Sequence, residues 1–168
     1  TKSDRCTLKQ IQHLEDHDAW FSALFQDSPF RRLAENLLGC DCIPINLQYF
    51  NKPPKSSKPT PPHQDGRYFM LTPCEAVTMW LALDKVDETN GCIRYLRGSH
   101  RKGLFPHVQT GTLGFSQGID DYSRCCDLES ETPIHASPGD LLAHHALTVH
   151  RADAIDSAAS QRRAIGFI

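Results

Sequence analysis

The sequence predicts a mainly β domain, a sandwich or barrel of short antiparallel strands standing behind a helical N-terminal flank. Three observations carry this expectation. Apolar residues in the first forty positions recur near the 3.6-residue period, and from Ile43 the spacing changes to strict alternation. Beyond residue 62, short apolar runs alternate with turn signals, and no helical crossover of the kind a parallel sheet needs lies between them. At 168 residues the chain suits a single core.

The flank, residues 1–42, is read as helical from Leu8, Ile11, Gln12 and Leu14, then Trp20, Phe21, Leu24 and Phe25. Ser28 before Pro29 is a cap followed by a first-turn proline, opening a helix that Gly39 stops after Leu37 and Leu38. His13 and His17 are expected to share one helical face, most simply a solvated one. Residues 43–168 form the expected β core. Ile43, Ile45, Leu47 and Tyr49 alternate with Pro44, Asn46, Gln48 and Phe50, as a strand with one buried face requires. Five prolines between residues 52 and 62 mark a surface loop. Residues 67–71, 76–83, 92–96, 141–145, 147–150 and 164–168 are the remaining strand candidates. Asn90-Gly91 reads as a hairpin turn and Pro138-Gly139-Asp140 as another turn. An irregular polar stretch at about 98–131 is long enough to be a functional insertion.

Charge and cysteine usage narrow the function. Eighteen Lys and Arg against twenty Asp and Glu leave a net charge of -2 with no basic block, which disfavours nucleic acid. No apolar run approaches the ~20 residues of a membrane span, and residues 1–6 lack an apolar signal core. A cytoplasmic protein is expected. Its seven cysteines, an odd number without a Cys-x-x-Cys unit, read as reduced packing thiols. A chain that starts at Thr1 and stops in an apolar stretch is also expected to be a piece of a longer protein.

The sharpest chemical signal is His63-Gln64-Asp65, which puts an imidazole and a carboxylate two residues apart and so on one face of an extended chain. His150, closing the run Leu147-Thr148-Val149, is the best third ligand, with His144 and His145 as competitors. Two histidines and one carboxylate on one side of a divalent metal leave open positions, the arrangement of non-haem Fe(II) oxygenases. His107 and His135 are read as ordinary loop histidines. Gln48, opposite Ile45 and Leu47 on its strand, either faces the cavity or solvent.

The wider pattern resembles the phytanoyl-CoA dioxygenase family of iron- and 2-oxoglutarate-dependent oxygenases. The resemblance runs through Gln48-Tyr49-Phe50-Asn51-Lys52-Pro53-Pro54, Pro62-His63-Gln64-Asp65 and Val77-Thr78-Met79-Trp80. It continues through Asn90-Gly91-Cys92-Ile93, Gly98-Ser99-His100, Pro138-Gly139-Asp140-Leu141-Leu142, His144 to His150 and Gln161-Arg162-Arg163-Ala164-Ile165. Arg97 departs from it, standing where proline is common before Gly-Ser-His, and the chain looks short at both ends.

That resemblance implies one oxygenase domain over 1–168 built as a double-stranded β-helix, the cupin-like jelly roll, with the helices braced against one sheet. It implies Fe(II) held by His63, Asp65 and His150, with 2-oxoglutarate as cosubstrate and O2 as oxidant. Arg162 would bind the far carboxylate of 2-oxoglutarate, Thr78 and Trp80 would border it, and Gln48 could hydrogen-bond there. His145 would be the hydrogen-bonding neighbour of the metal site, and Tyr68 and Phe69 would shape the substrate pocket. The implied activity is hydroxylation of a C–H bond with release of succinate and CO2. Asp65 argues against a halogenase, Arg162 against a metal-dependent oxidase without 2-oxoglutarate, and the complete ligand set against a non-catalytic jelly-roll binding module.

Overall fold

In the computed structural model, which describes residues 8–54, 58–112, 114–125, 128–155 and 161–168, the first described element is a strand rather than a helix, and the part of the expected helical flank before residue 8 lies outside the described residues. β1 (Gln10–Ile11) pairs with Phe50 and Tyr49, and the Gln10 side chain donates to Gln48 Oε1 at 2.6 Å. An available sheet edge overrides the helical spacing there. His13 then adopts a left-handed φ of 56° at the start of a 3-10 turn, and His17 closes that turn, so the two share no helical face.

The Ser28 and Gly39 signals behave as expected, and Asp18, not singled out in the sequence, caps the preceding helix. α1 (Ala19–Gln26) starts where Asp18 accepts the Trp20 N–H at 2.8 Å, and α2 (Pro29–Leu38) starts where Ser28 accepts the Phe30 N–H at 3.2 Å. Gly39, left-handed at φ 72°, ends α2 and donates to Glu35 O.

The strands follow as β2 (Leu47–Lys52), β3 (Thr60–His63), β4 (Val77–Ala82) and β5 (Ile93–Leu96), with a one-turn helix α3 (Gly66–Phe69) between β3 and β4. Next come β6 (His107–Thr112), β7 (Phe115–Ile119), α4 (Tyr122–Cys125), β8 (Glu131–Ile134), β9 (Leu141–His145), β10 (His150–Ala152) and β11 (Arg162–Phe167). One sheet has the order β1-β2-β11-β4-β9, the second β3-β10-β5-β8, and β6 and β7 form a separate hairpin. Successive strands β2 to β5 and β8 to β11 alternate between the two sheets, which is the double-stranded β-helix.

Further expectations change: residues 147–149 are turn and loop instead of strand, with the Thr148 N–H donating to His145 O. Residues 43–46 are not strand, and Ile43 is 88% exposed, because pairing with β11 begins at Leu47. Residues 67–71 turn into α3 instead of a strand, with the Asp65 carbonyl accepting from the N–H groups of Tyr68 and Phe69. Asn90-Gly91 makes no hairpin, since β4 and β5 lie in different sheets. Asn90 instead completes a capping box with Asp87, and Gly91 turns the chain at φ 74°.

The core has two main parts. Leu47, Val77, Met79 and Phe167 face α1 and α2 and pack on Phe25 and Ala34, so the helices brace the larger sheet. Trp80, Ala82, Val86, Ile93 and Ala164 fill the space between the sheets. Among the described residues no helix is long and apolar enough to cross a membrane.

Candidate active site

Register brings the site together. In the smaller sheet His150 is paired with His63 on one side and Tyr95 on the other, and in the larger sheet Thr78 is paired with His144. These two rows face each other with Asp65 between them. One ring nitrogen from each of His63 and His150 and one oxygen of Asp65 lie within 4.8 Å of one another.

The three candidate ligand atoms have the orientation that a cation would need. His63 Nδ1 lies 2.9 Å from Pro61 O, and His150 Nδ1 lies 3.0 Å from Thr148 O. A carbonyl only accepts, so each Nδ1 carries the proton and each Nε2 presents its lone pair. Asp65 Oδ1 sits 3.4 Å from His63 Nε2 and 3.7 Å from His150 Nε2. Burial works against the Asp65 charge, but His150, His144 and His63 outweigh it and hold the carboxyl well below the usual carboxylate range. Burial, with His63 beside it, pushes His150 down to about 3, so the ring is neutral at pH 7. Two imidazoles that turn Nε2 toward one carboxylate are a donor set suited to a divalent first-row metal.

Arg162 enters from β11. It is buried, its NH1 donates to Gly91 O at 2.8 Å, and its guanidinium carbon lies 5.1 Å from the Trp80 ring centre. Its Nε is buried with no hydrogen-bond partner. Burial pushes its pKa down to about 10, which still leaves it charged at neutral pH. Arg163, on the other face of β11, is spent on Asp84, which accepts from its Nε at 3.0 Å and its NH2 at 2.7 Å. Lys52, which the sequence reading passed over, is buried near Arg162, and its Nζ donates to Asp153 O at 2.7 Å. Desolvation, with Arg162 adding repulsion, brings its pKa to about 7. A cavity of about 500 Å3 reaches both cations and is walled by Phe50, Thr60 and Phe115.

Other expected residues take different roles. Thr78 donates to Asp65 Oδ2 at 2.7 Å, and Gln48 is buried against Gln10. His144, not His145, is the neighbour of the metal site, 3.0 Å from Asp65 Oδ2. Alternation along β9 turns His145 outward to Glu75, 3.2 Å away. His107 is no free loop histidine: its Nδ1 meets Phe105 O at 2.8 Å, and its Nε2 accepts the Gln64 N–H at 3.1 Å.

The stretch at 98–131, expected to be irregular, carries the β6–β7 hairpin and α4, and it is fastened to the site by the residue between the two candidate ligands. The fully buried Gln64 side chain donates to Gly103 O and Leu147 O and accepts from Phe105 N. Tyr68 donates its phenol to Gln117 O at 2.7 Å, and Phe115 lies edge-on to His63 at 5.0 Å. Asp65, His107 and Gln64 thus join β3, α3 and the β6–β7 hairpin into one wall of the site.

Residues 5–164 match the family model for phytanoyl-CoA dioxygenase (PhyH). The chain belongs to the phytanoyl-CoA dioxygenase family. It is 30% identical over 129 residues to the peroxisomal phytanoyl-CoA dioxygenase of Homo sapiens, an alignment covering 71% of this chain and 37% of that protein. The chain therefore spans well under half the length of that relative, which is peroxisomal by name rather than cytoplasmic. Among solved structures, EvdO2 from Micromonospora carbonacea var. aurantiaca complexed with 2-oxoglutarate aligns with TM-score 0.76 at 25% identity, covering 99% of this chain and 69% of that one. The epimerase SnoN, solved with Fe3+, alpha ketoglutarate and nogalamycin RO, aligns with TM-score 0.73 at 26% identity, covering 94% and 61%.

Proposed function

We propose that the chain is a non-haem Fe(II)- and 2-oxoglutarate-dependent oxygenase that hydroxylates a C–H bond of a small-molecule substrate. Membership of the family and likeness to structures solved with 2-oxoglutarate and with Fe3+ and alpha ketoglutarate support the cofactors. The observation that carries the reading is Arg162: a buried guanidinium whose Nε has no partner and beside which no described carboxylate lies. An uncompensated buried charge is costly, and a planar fork suits a carboxylate, so a bound dicarboxylate supplies what the fold withholds.

In this reading His63 Nε2, Asp65 Oδ1 and His150 Nε2 hold the metal, whose chemistry is to chelate the 2-oxo acid and activate dioxygen. The residues do the rest. Pro61 O and Thr148 O fix the imidazole tautomers, Arg162 and Lys52 neutralise the far carboxylate, Trp80 packs against the Arg162 guanidinium and Phe115 lines the cavity. Asp65 in the third ligand position, where a halogenase carries a small residue, favours hydroxylation.

Titrating 2-oxoglutarate into the anaerobic Fe(II) protein should produce a visible charge-transfer band, and aerobic turnover with a substrate screen should release succinate. Absence of both the band and metal-dependent 2-oxoglutarate consumption would overturn the reading.

A further inference from the structure

His144 was a competitor of His150 for the third ligand position, but the candidate site needs only three ligands and His150 fills the third place. Yet His144 is buried and has both ring nitrogens engaged. Its Nε2 is 3.0 Å from Asp65 Oδ2, and its Nδ1 is 2.9 Å from the Tyr95 hydroxyl. Asp65 Oδ2 is a carboxylate oxygen, which only accepts, so the ring nitrogen facing it, Nε2, carries the His144 proton, and Nδ1 is left to accept from the Tyr95 hydroxyl.

The two Asp65 oxygens are therefore not equivalent. Oδ1 faces the Nε2 atoms of His63 and His150, at 3.4 and 3.7 Å. Oδ2 accepts from Thr78 Oγ1 at 2.7 Å and from His144 Nε2 at 3.0 Å. An oxygen with two in-plane lone pairs that serves two donors has none left for a metal.

We propose that His144, aligned by Tyr95, is a positioning residue that acts with Thr78 to tie down Asp65 Oδ2, so that the carboxylate offers the metal a single oxygen. This rests on the oxygenase reading and deepens it. Two imidazoles and one carboxylate oxygen occupy three places of an octahedral metal and leave three open, two of which a chelating 2-oxo acid fills. A carboxylate swung to bind through both oxygens would take one of those places from the cosubstrate. Register makes the device rigid: Thr78 and His144 are cross-strand partners in one sheet, and Tyr95 and His150 are partners in the other.

Co(II) is the probe, because the intensity of its visible absorption reports coordination number and it needs no turnover. Wild type, His144→Leu, His144→Gln, Tyr95→Phe and Thr78→Val would each be loaded anaerobically and then titrated with 2-oxoglutarate. Partners of metal ligands are worth about 10–100-fold when removed. His144→Leu should thus weaken 2-oxoglutarate binding to the Co(II) protein by about tenfold or more and lower the absorption intensity, as a higher coordination number does. His144→Gln should keep most of the wild-type spectrum and affinity, since its side-chain amide N–H can replace Nε2–H. Tyr95→Phe and Thr78→Val should shift both readouts in the direction of His144→Leu, and they carry the test if that variant does not fold. Wild-type protein that fails to take up Co(II) would sink the oxygenase reading itself. Normal uptake, with spectrum and 2-oxoglutarate affinity unchanged in His144→Leu or in both milder variants, would overturn the positioning role alone.

Discussion

His63 and His150 are direct partners across the β3–β10 ladder, with ring centres 4.2 Å apart, although 86 other residues separate them in the chain. Each ring is turned by a carbonyl two residues earlier, so two unrelated chain segments deliver matching lone pairs to one point.

Removing any one ligand should therefore abolish most metal binding. His63→Ala, Asp65→Ala and His150→Ala are each expected to lose more than the roughly 10–100-fold that an outer partner of a ligand is worth. Calorimetric titration with Fe(II) or Co(II) under anaerobic conditions reads this directly. Normal affinity in His150→Ala would remove that residue from the set.

Arg162→Gln should separate cosubstrate binding from metal binding. Removing one partner of a buried charge pair costs ~3–5 kcal/mol, so the 2-oxoglutarate requirement should rise at least tenfold at ~1.4 kcal/mol per decade. Arg163→Gln should leave it unchanged, because Arg163 is committed to Asp84 on the outer face. The same Arg162→Gln change should raise the melting temperature of the ligand-free protein, since it removes a buried charge that has no counter-ion.

Lys52 predicts a pH dependence. Its folded pKa of about 7 lies below the ordinary lysine value, so between pH 7 and about 10 the unfolded chain binds more protons than the folded one. Stability should rise across that window, and the cost of burying the charge is fully present below it. Cosubstrate affinity should run the other way, falling as pH rises through 7 and the amine loses its charge. Thermal melts and 2-oxoglutarate titrations of Lys52→Met from pH 6 to 10 should show both slopes flattened; slopes matching wild type would acquit Lys52.

Gly91→Ala should damage the arginine site from a distance. The residue sits at φ 74°, and an added Cβ would come within 2.6 Å of Asp153 O, while its own carbonyl holds Arg162. A left-handed alanine costs about 1–2 kcal/mol, and relief of the clash must move the Arg162 anchor. The expected result is a lower melting temperature together with weaker 2-oxoglutarate binding.

Gln64→Ala should loosen the insertion. It leaves Gly103 O, Leu147 O and Phe105 N buried without their partner, at about 1–3 kcal/mol for each unsatisfied group. Denaturant unfolding should show the loss, and hydrogen exchange should rise across residues 103–107 before it rises in β4 or β9. Equal protection in wild type and variant would mean that the loop is held by other contacts.

The sequence by itself determined the β class, the helix between Ser28 and Gly39 and the local half of the candidate site. A helix cap, a turn glycine and a ligand pair two residues apart are decided by backbone geometry within a few positions, so Ser28, Gly39 and the His63–Asp65 pair were legible without a fold. Reading Ile43 as strand failed because alternation states which face is apolar but not where a partner strand begins. Gln10 and Ile11 were read as helix because their spacing cannot reveal a sheet edge waiting at Phe50. Tertiary structure alone decided that His144 rather than His145 reaches Asp65, that Lys52 lies beside Arg162, and that Gln64 bolts the insertion to the ligands. Those relations join residues from 39 to 110 positions apart. They depend on which strands become neighbours, and that is settled by burying side chains between two sheets, a sum over the whole chain that no local window contains.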